Sequence, residues 1–360
     1  GVATFMSSFS DLNGVPCSGN QFLMKQVLRQ EWEFDGFVVS DWESIKELTV
    51  HGFTADDAHA VQEALDAGID MEMASTLYRQ HIPALLESGE ITEHQIDTMV
   101  CNILKLKLQL GLFDNPYTDP GRFPGMVNAK HLQAAKEAAM RGCVLLKNDH
   151  QTLPLLAVRI SSLAVIGPLA DDGYEQMGTW VFDGESHHSQ TCLQAIHAMC
   201  GDDIQVRWAQ GMATSRCRED DGFDDAVAIA EQSDMTVMFM GEESILSGEA
   251  HCRADIDLPG NQERLIEAVA ATGKPIVLVV MAGRPLTLQN IVDKVDAILY
   301  AWHPGTMGGP ALANLLIGSV SPSGRLPVTW PKAVGQIPIY YNHKSTGRPF
   351  DPAEFTPIDT

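Results

Sequence analysis

The seven cysteines of this sequence include no CxxC pair, which argues against a zinc ribbon or a thioredoxin-like redox motif. No GxGxxG or GxxxxGK[ST] loop occurs, so dinucleotide and nucleoside triphosphate binding lack support. There is no HExxH, and His187-His188 is the only adjacent histidine pair. Neighbouring residues are expected to point to different sides, so neither a metal site nor a cofactor is expected. The absence of a GxSxG elbow argues against an α/β-hydrolase serine nucleophile. Basic charge is scarce: 24 Lys and Arg stand against 47 Asp and Glu, for a formal charge of −23. That balance disfavours nucleic acid and anionic membranes as partners and suits a neutral substrate. No apolar run approaches the ~20 residues of a membrane helix.

What is present is globular material of two-domain length: 360 residues, 45% hydrophobic and 20% charged. Its most informative stretch is Gly36-Phe37-Val38-Val39-Ser40-Asp41-Trp42. Three apolar residues without alternation read as a strand buried on both faces, as in a parallel sheet. The carboxyl end of such a strand faces the crevice where α/β proteins keep their chemistry. Asp41 stands there, with Trp42 available to stack on a flat apolar surface such as a sugar ring. An Asp in that position can equally N-cap the helix that begins near Glu43.

Three strand-then-helix units fill the first 115 residues or so. The first pairs a strand at Val2–Ser7 with a helix from Gln21 to Trp32, across the loop Asn13-Gly14-Val15-Pro16. The second follows Phe37–Val39 with a helix to about Thr49. Ala55–Ala67 is a further helix leading to the strand Ile69–Met73, and helices follow at Arg79–Ser88 and Glu93–Leu110. Successive units of this kind build parallel sheets, closed as barrels or open. Leu112–Asn128, with its prolines and glycines, breaks helix and reads as a linker. Beyond it, apolar strands at Leu163–Ile166, Met235–Met240, Ile276–Val280 and Ala297–Tyr300 alternate with helices such as Ala226–Gln232 and Gln262–Ala271, which marks a second α/β domain. The fold class is α/β, divided at 1–111, a linker at 112–130, and 131–360. Cys101 and Cys143 fall in helical apolar patterns and are expected to be buried. The sequence opens inside a strand, without an initiator Met or signal peptide, and ends in loop sequence. It is therefore expected to be a segment of a longer polypeptide.

The loop after Val237–Met240 runs from Gly241 to Arg253 and carries Glu242, Glu243 and Glu249. A loop at a strand's carboxyl end can lend a carboxylic acid to a neighbouring cleft, or be a solvated acidic loop. Arg253 could pair with any of these glutamates and lower that acid's pKa. Asp41 and a loop glutamate together suggest glycoside hydrolysis, which needs one ionised carboxylate and one protonated carboxyl.

With these residues in hand, the chain resembles the glycoside hydrolase family 3 β-glucosidases of multidomain bacterial type. GFVVSDW resembles the family's nucleophile motif, the run Met6 to Pro16 the preceding barrel strand and loop, and Ala67-Gly68-Ile69-Asp70-Met71-Glu72-Met73 the last barrel strand. Leu145–Asn148, Leu153-Pro154-Leu155, Gly283-Arg284-Pro285-Leu286, Pro304-Gly305, Pro322–Pro327, Tyr341–Lys344 and Thr346–Pro349 fit the second domain in family order.

The resemblance implies the C-terminal part of a (β/α)8-type barrel followed by an α/β sandwich, working as a retaining β-glucosidase on terminal β-D-glucosyl residues. It places Asp41 as nucleophile and Glu249, four residues before Arg253, as acid/base, with the carboxyls ~5–5.5 Å apart in a closed site. Trp42, Met6 and Phe9 would line the sugar subsite, and Trp180 the next one unless it is a core residue. Phe9 stands where several relatives carry a Tyr, and it cannot donate a hydrogen bond to the nucleophile. Implied partners are a β-linked gluco-oligosaccharide or an aryl or alkyl β-glucoside, and the rest of the barrel from the same polypeptide. A homodimer and a periplasmic or secreted home are compatible with the likeness. A β-xylosidase or other β-glycosidase of the family, and a catalytically silent carbohydrate-binding segment, are the competing readings.

Overall fold

The computed structural model describes residues 2–123, 125, 127–155, 160–344 and 347. Pro124 and Met126 of the expected linker, Thr346, Arg348 and Pro349 of the terminal motif, and the 351–360 tail lie outside the described residues. The chain divides into two compact units between Phe123 and Pro124.

In the first unit three parallel strands form one sheet: β1 (Thr4–Met6), β2 (Phe37–Trp42) in the middle, and β3 (Met71–Met73). Phe5 lies opposite Val38, and Met6 opposite Val39. The segment Asn13-Gly14, with φ of 55° and 79°, turns a small hairpin between Asp11–Leu12 and Val15–Pro16. Residues Phe22–Glu31 form a wide-turned helix in which, for example, the Trp32 amide reaches back five residues to the Val27 carbonyl at 3.0 Å.

Helix α1 (Asp57–Ala67) starts where the Asp56 carboxylate accepts the His59 amide and stops at left-handed Gly68. Its Ala60, Val61, Ala64 and Leu65 pack with Val38, Ile45, Leu48 and Ile69 into the unit's core. Helices α2 (Leu77–Ser88) and α3 (Glu93–Gln109) follow, the latter opened by a Thr92–Gln95 capping box. On α3 Met99 is buried, but Val100 and Leu104 are exposed. Cys101, expected to be buried, is exposed as well, because this arc of the helix turns away from the core that Met99 joins.

The second unit is built on a six-stranded sheet ordered β4 (Val144–Asn148), β9 (Ala297–Tyr300), β8 (Ile276–Met281), β7 (Met235–Gly241), β5 (Ser162–Ile166), β6 (Gln205–Ala209). All neighbours are parallel except β4, which runs antiparallel to β9. Alternate residues feed two cores. Val165, Val237, Phe239, Val279 and Leu299 pack on one face, and Ile166, Met238, Met240, Val280 and Tyr300 on the other. Cys192–Cys200 and Gly308–Ile317 are helices that contribute to the first core, and Phe223–Glu231 and Gln262–Ala270 are helices that contribute to the second.

This is a doubly wound sheet, and its winding reverses between β5 and β7. The loops leaving the carboxyl ends of those two strands therefore flank the crevice where such sheets bind ligands. They carry Trp180 and Glu249 respectively.

Candidate active site

Asp41 is the penultimate residue of β2, and two features of the strand set its position. The ladder between β2 and β3 slips between Val39 and Trp42. At that slip the buried Ser40 hydroxyl donates to the Asp41 carbonyl at 2.9 Å and accepts the Met73 amide at 2.8 Å. A side chain thus supplies the bond that the irregular ladder omits. The backbone then turns through Glu43, a non-glycine residue at φ 53°, whose amide reaches the Met73 carbonyl at 3.0 Å. Left-handed backbone at such a residue costs on the order of 1–3 kcal/mol and recurs at functional sites.

The Asp41 carboxylate is half-exposed, and its hydrogen bond is from the Trp42 amide, 2.7 Å from Oδ1. It caps no helix: residues 43–46 form turns, and the next helix begins only at Glu47. Trp42 is 65% exposed, Met6 is exposed at the end of β1, and Phe9 is half-buried. Below the strand ends the buried hydroxyls of Ser7, Ser18 and Ser44 form a relay with 2.8 Å steps, so the loops that follow β1 and β2 share one polar anchor.

Asp70 shows the other fate of a carboxylate in this unit. It is buried and accepts from the Val38 amide at 2.7 Å, from Arg29 at 2.5 Å and from Asn102 at 2.9 Å. Burial pushes its carboxyl above the usual range, and these three donors oppose that shift.

The acidic loop of the second unit separates its three glutamates. Glu242 is wholly buried and pairs with Arg253 at 2.6 Å and Arg284 at 3.2 Å. Glu243 is buried too, accepting from Ser215 at 2.7 Å and from Arg216 at 3.0 and 3.1 Å. Burial acts to raise the Glu243 carboxyl, but the Arg216 and Ser215 bonds outweigh it and hold it below the ordinary range. Glu249 is exposed, with no hydrogen bond or ion pair among the described residues. Arg253 therefore serves Glu242, not Glu249.

Arg284 closes this loop at both shoulders. Its guanidinium donates to the Leu246 carbonyl and, at 2.9 Å, to the His251 carbonyl, leaving Glu249 between them. The tip is tight. Gly248 has φ 113°, and a Cβ there would lie 2.8 Å from Thr179 Oγ1 and 3.4 Å from Trp180 Nε1, so the loop leans on residues 179–180. Ala250, directly after Glu249, sits at φ 61°, as does Trp180. Trp180 is 58% exposed and meets Phe182 edge to face at 5.3 Å. It is a surface ring, not a core residue.

Three contributors here carry no local signal in the sequence. Gln262, fully buried, donates to the Ser215, Gly241 and Pro259 carbonyls and accepts the Gly241 amide. Glu175 receives the Ser244 amide, and His303 lies 3.2 Å from the Glu175 carbonyl through Nδ1. Burial holds the His303 imidazole below its ordinary pKa, against the opposing effect of that bond. Apart from Pro259, each partner is more than twenty residues away, so only the fold reveals the set.

The histidine pair also departs from expectation. Ser186–His188 form one tight helical turn rather than a strand, and this brings the two rings to 3.9 Å between centroids instead of opposite sides. Of the thiols, all seven are free; burial pushes Cys143 up to about 12 and Cys192 further still.

This is a two-unit α/β protein in which Asp41 and Glu249, one in each unit, are open carboxylates near exposed tryptophans. Comparison with known proteins gives the family. The chain belongs to glycosyl hydrolase family 3: residues 1–106 match that family's N terminal domain and residues 143–356 its C-terminal domain. It is 40% identical over 377 residues to a periplasmic beta-glucosidase of Salmonella typhimurium, covering 98% of this chain and 49% of that protein. It is 34% identical to a beta-xylosidase of Formosa agariphila, covering 95% of this chain and 49% of that one. The crystal structure of a beta-glucosidase from Listeria innocua in complex with isofagomine superposes with a TM-score of 0.88 at 33% identity, over 96% of this chain and 48% of that one. The chain thus spans about half the length of the relatives it matches. In family terms the first unit is the C-terminal part of a (β/α)8-type barrel and the second an α/β sandwich. Among the described residues no helix is long and apolar enough to cross a membrane.

Proposed function

We propose that this chain belongs to a retaining, exo-acting β-glucosidase that removes terminal non-reducing β-D-glucosyl residues, with Asp41 as nucleophile and Glu249 as acid/base. The observation that carries the reading is the separation of the carboxylates. In the acidic loop, Glu242 and Glu243 are consumed by arginines, and Glu249 alone of the three is open to a ligand. Asp41 is likewise open at a strand end, beside an exposed Trp.

The chemistry follows from those two groups. An Asp41 oxygen attacks the anomeric carbon as Glu249 gives its proton to the departing glycosidic oxygen, leaving a glycosyl ester on Asp41. Glu249, now ionised, takes a proton from water, which attacks the same carbon and frees Asp41. Two inversions retain the β configuration. Glu249 gives a proton in the first step and takes one in the second, and no arginine among the described residues occupies its carboxylate. Trp42 and Trp180 offer apolar faces to sugar rings. The similarity to a periplasmic beta-glucosidase supports a periplasmic or secreted home.

A β-xylosidase is the second reading, favoured by the similarity to a beta-xylosidase. The two substrates differ only in the hydroxymethyl group at C5. The test compares aryl β-glucoside and β-xyloside hydrolysis by a full-length protein carrying this chain, with and without Asp41→Asn. The proposal expects a preference for the glucoside and loss of both activities in Asp41→Asn. A preference for the xyloside moves the assignment to the second reading, and full activity of Asp41→Asn rejects the mechanism.

A further inference from the structure

We infer that Glu185, His187 and His188 form a binding site for a divalent transition-metal ion of the zinc type. The inference is independent of the glycosidase chemistry and uses none of its residues. Among the described residues, one ligand atom from each of these three side chains converges within 4.8 Å of the others. The set, two imidazoles and a carboxylate, leaves further positions open to water and is one that zinc accepts. Three bonds of about 2.0–2.2 Å from a common centre place ligand atoms within that mutual distance, so small side-chain rotations bring all three onto one ion.

The backbone is preorganised for this. The turn is fixed by the His188 amide to the Glu185 carbonyl at 3.0 Å and the Ser189 amide to the Ser186 carbonyl at 2.9 Å. The chain at Gly173 runs directly beneath it: a Cβ on that residue would lie 3.0 Å from the Ser186 carbonyl oxygen and 3.3 Å from Ser189 Cβ. Downstream, Gln176 Nε2 donates to the Gln190 carbonyl at 3.2 Å and the Gln190 amide to the Thr306 carbonyl at 3.4 Å.

The three side chains already approach one another. Glu185 lies 3.0 Å from His187 Nδ1, which accounts for one imidazole only. The second ring stands 3.9 Å away at a 49° tilt, close enough for both imidazoles to reach one ion. A divalent ion takes a lone pair from each ring and a bond from the carboxylate at once. Imidazole donors favour zinc and copper over magnesium or calcium.

Zn²⁺ itself is the probe. The chain, its accessible thiols alkylated so that Cys101, Cys217 and Cys252 cannot compete, is titrated calorimetrically with Zn²⁺, and its Co²⁺ form is examined by visible absorption. The expected results are one binding event and a Co²⁺ spectrum of nitrogen and oxygen ligands without a thiolate charge-transfer band. Binding is lost in His187→Ala/His188→Ala and weakened about tenfold or more in Glu185→Gln. Glu185 and His187 are exposed and His188 is half-buried, and unchanged circular dichroism and Tm in metal-free buffer confirm that the variants fold. No Zn²⁺ binding by the native chain overturns the inference, as does binding that survives the double substitution or a thiolate band with cobalt.

Discussion

The acidic loop of the second unit holds glutamates of opposite character in its two halves. In the first, Glu242 and Glu243 are buried and held by Arg253, Arg284, Arg216 and Ser215. In the second, Glu249 is exposed and unpartnered among the described residues. The first unit repeats the contrast with Asp70, which has three donors, and Asp41, whose carboxylate among the described residues holds only the amide of the next residue. A buried carboxylate is tolerated only when paired, and once paired it is held in a structural role. Carboxylates available for chemistry are those the fold leaves open while fixing the backbone beneath them. Here Ser40 does this under Asp41, and Arg284 does it on both sides of Glu249.

Four substitutions probe that contrast. Asp41→Asn in a full-length protein is expected to cost about 10⁴-fold or more in kcat, with Tm unchanged, because it removes the proposed nucleophile and no structural bond. Steady-state kinetics paired with thermal melts read both quantities, and a large drop in Tm would place Asp41 with the structural acids.

Glu249→Gln is expected to lose about 10²–10⁴-fold on glycosides with poor leaving groups, and far less on activated aryl glycosides. Added azide, which needs no general base, restores turnover of the activated substrates. Equal losses on both substrate types would remove Glu249 from the acid role.

Glu242→Ala is expected to act in the opposite sense. Leaving Arg253 and Arg284 without their buried partner costs about 3–5 kcal/mol of stability, measured by denaturant unfolding. A variant as stable as the parent would mean that the loop is not held by this pair of arginines.

The smallest effect concerns pH. Asp234 is held at about 2, first by the Ser161 amide and then by the Ser161 and Ser162 hydroxyls and the Ser162 amide. Its folded pKa is below the unfolded value of about 3.9, so its stabilisation is present above about pH 4 and fades as pH falls toward 2. In Asp234→Asn that part of the acid-dependent decline in Tm should vanish. A melt series across this range checks it, and an unchanged slope would assign the decline to other acids.

Much of this was legible in the sequence, for reasons that particular residues make clear. Phe37-Val38-Val39 is apolar without alternation and formed the central parallel strand, ending at Asp41. The second unit's interior strands β5, β7, β8 and β9 were read in the same way. Its two edge strands, β4 and β6, escaped notice. Gln205-Val206-Arg207-Trp208-Ala209 is only partly buried, and Val144–Asn148 ends in Lys and Asn. Edge positions relax the demand for a continuous apolar run, and with it the signal.

Spacing along the chain could not choose among the three loop glutamates. The partner of Glu242 at Arg284 and the buried Gln262 that ties Gly241 to Ser215 join the loop across long sequence separations. The histidine pair departs from side-to-side alternation for a local reason: the chain makes a helical turn there, which brings the two rings together.

The most direct test of the whole account is to trap the covalent intermediate. A full-length protein carrying this chain is incubated with a fluorosugar β-glucoside that forms the glycosyl ester quickly and hydrolyses slowly, then digested and mapped by mass spectrometry. The account predicts one glycosylated carboxylate, Asp41, in the peptide containing Val39-Ser40-Asp41-Trp42. A label on Glu249, Glu72 or any other acid, with Asp41 unmodified, would contradict it.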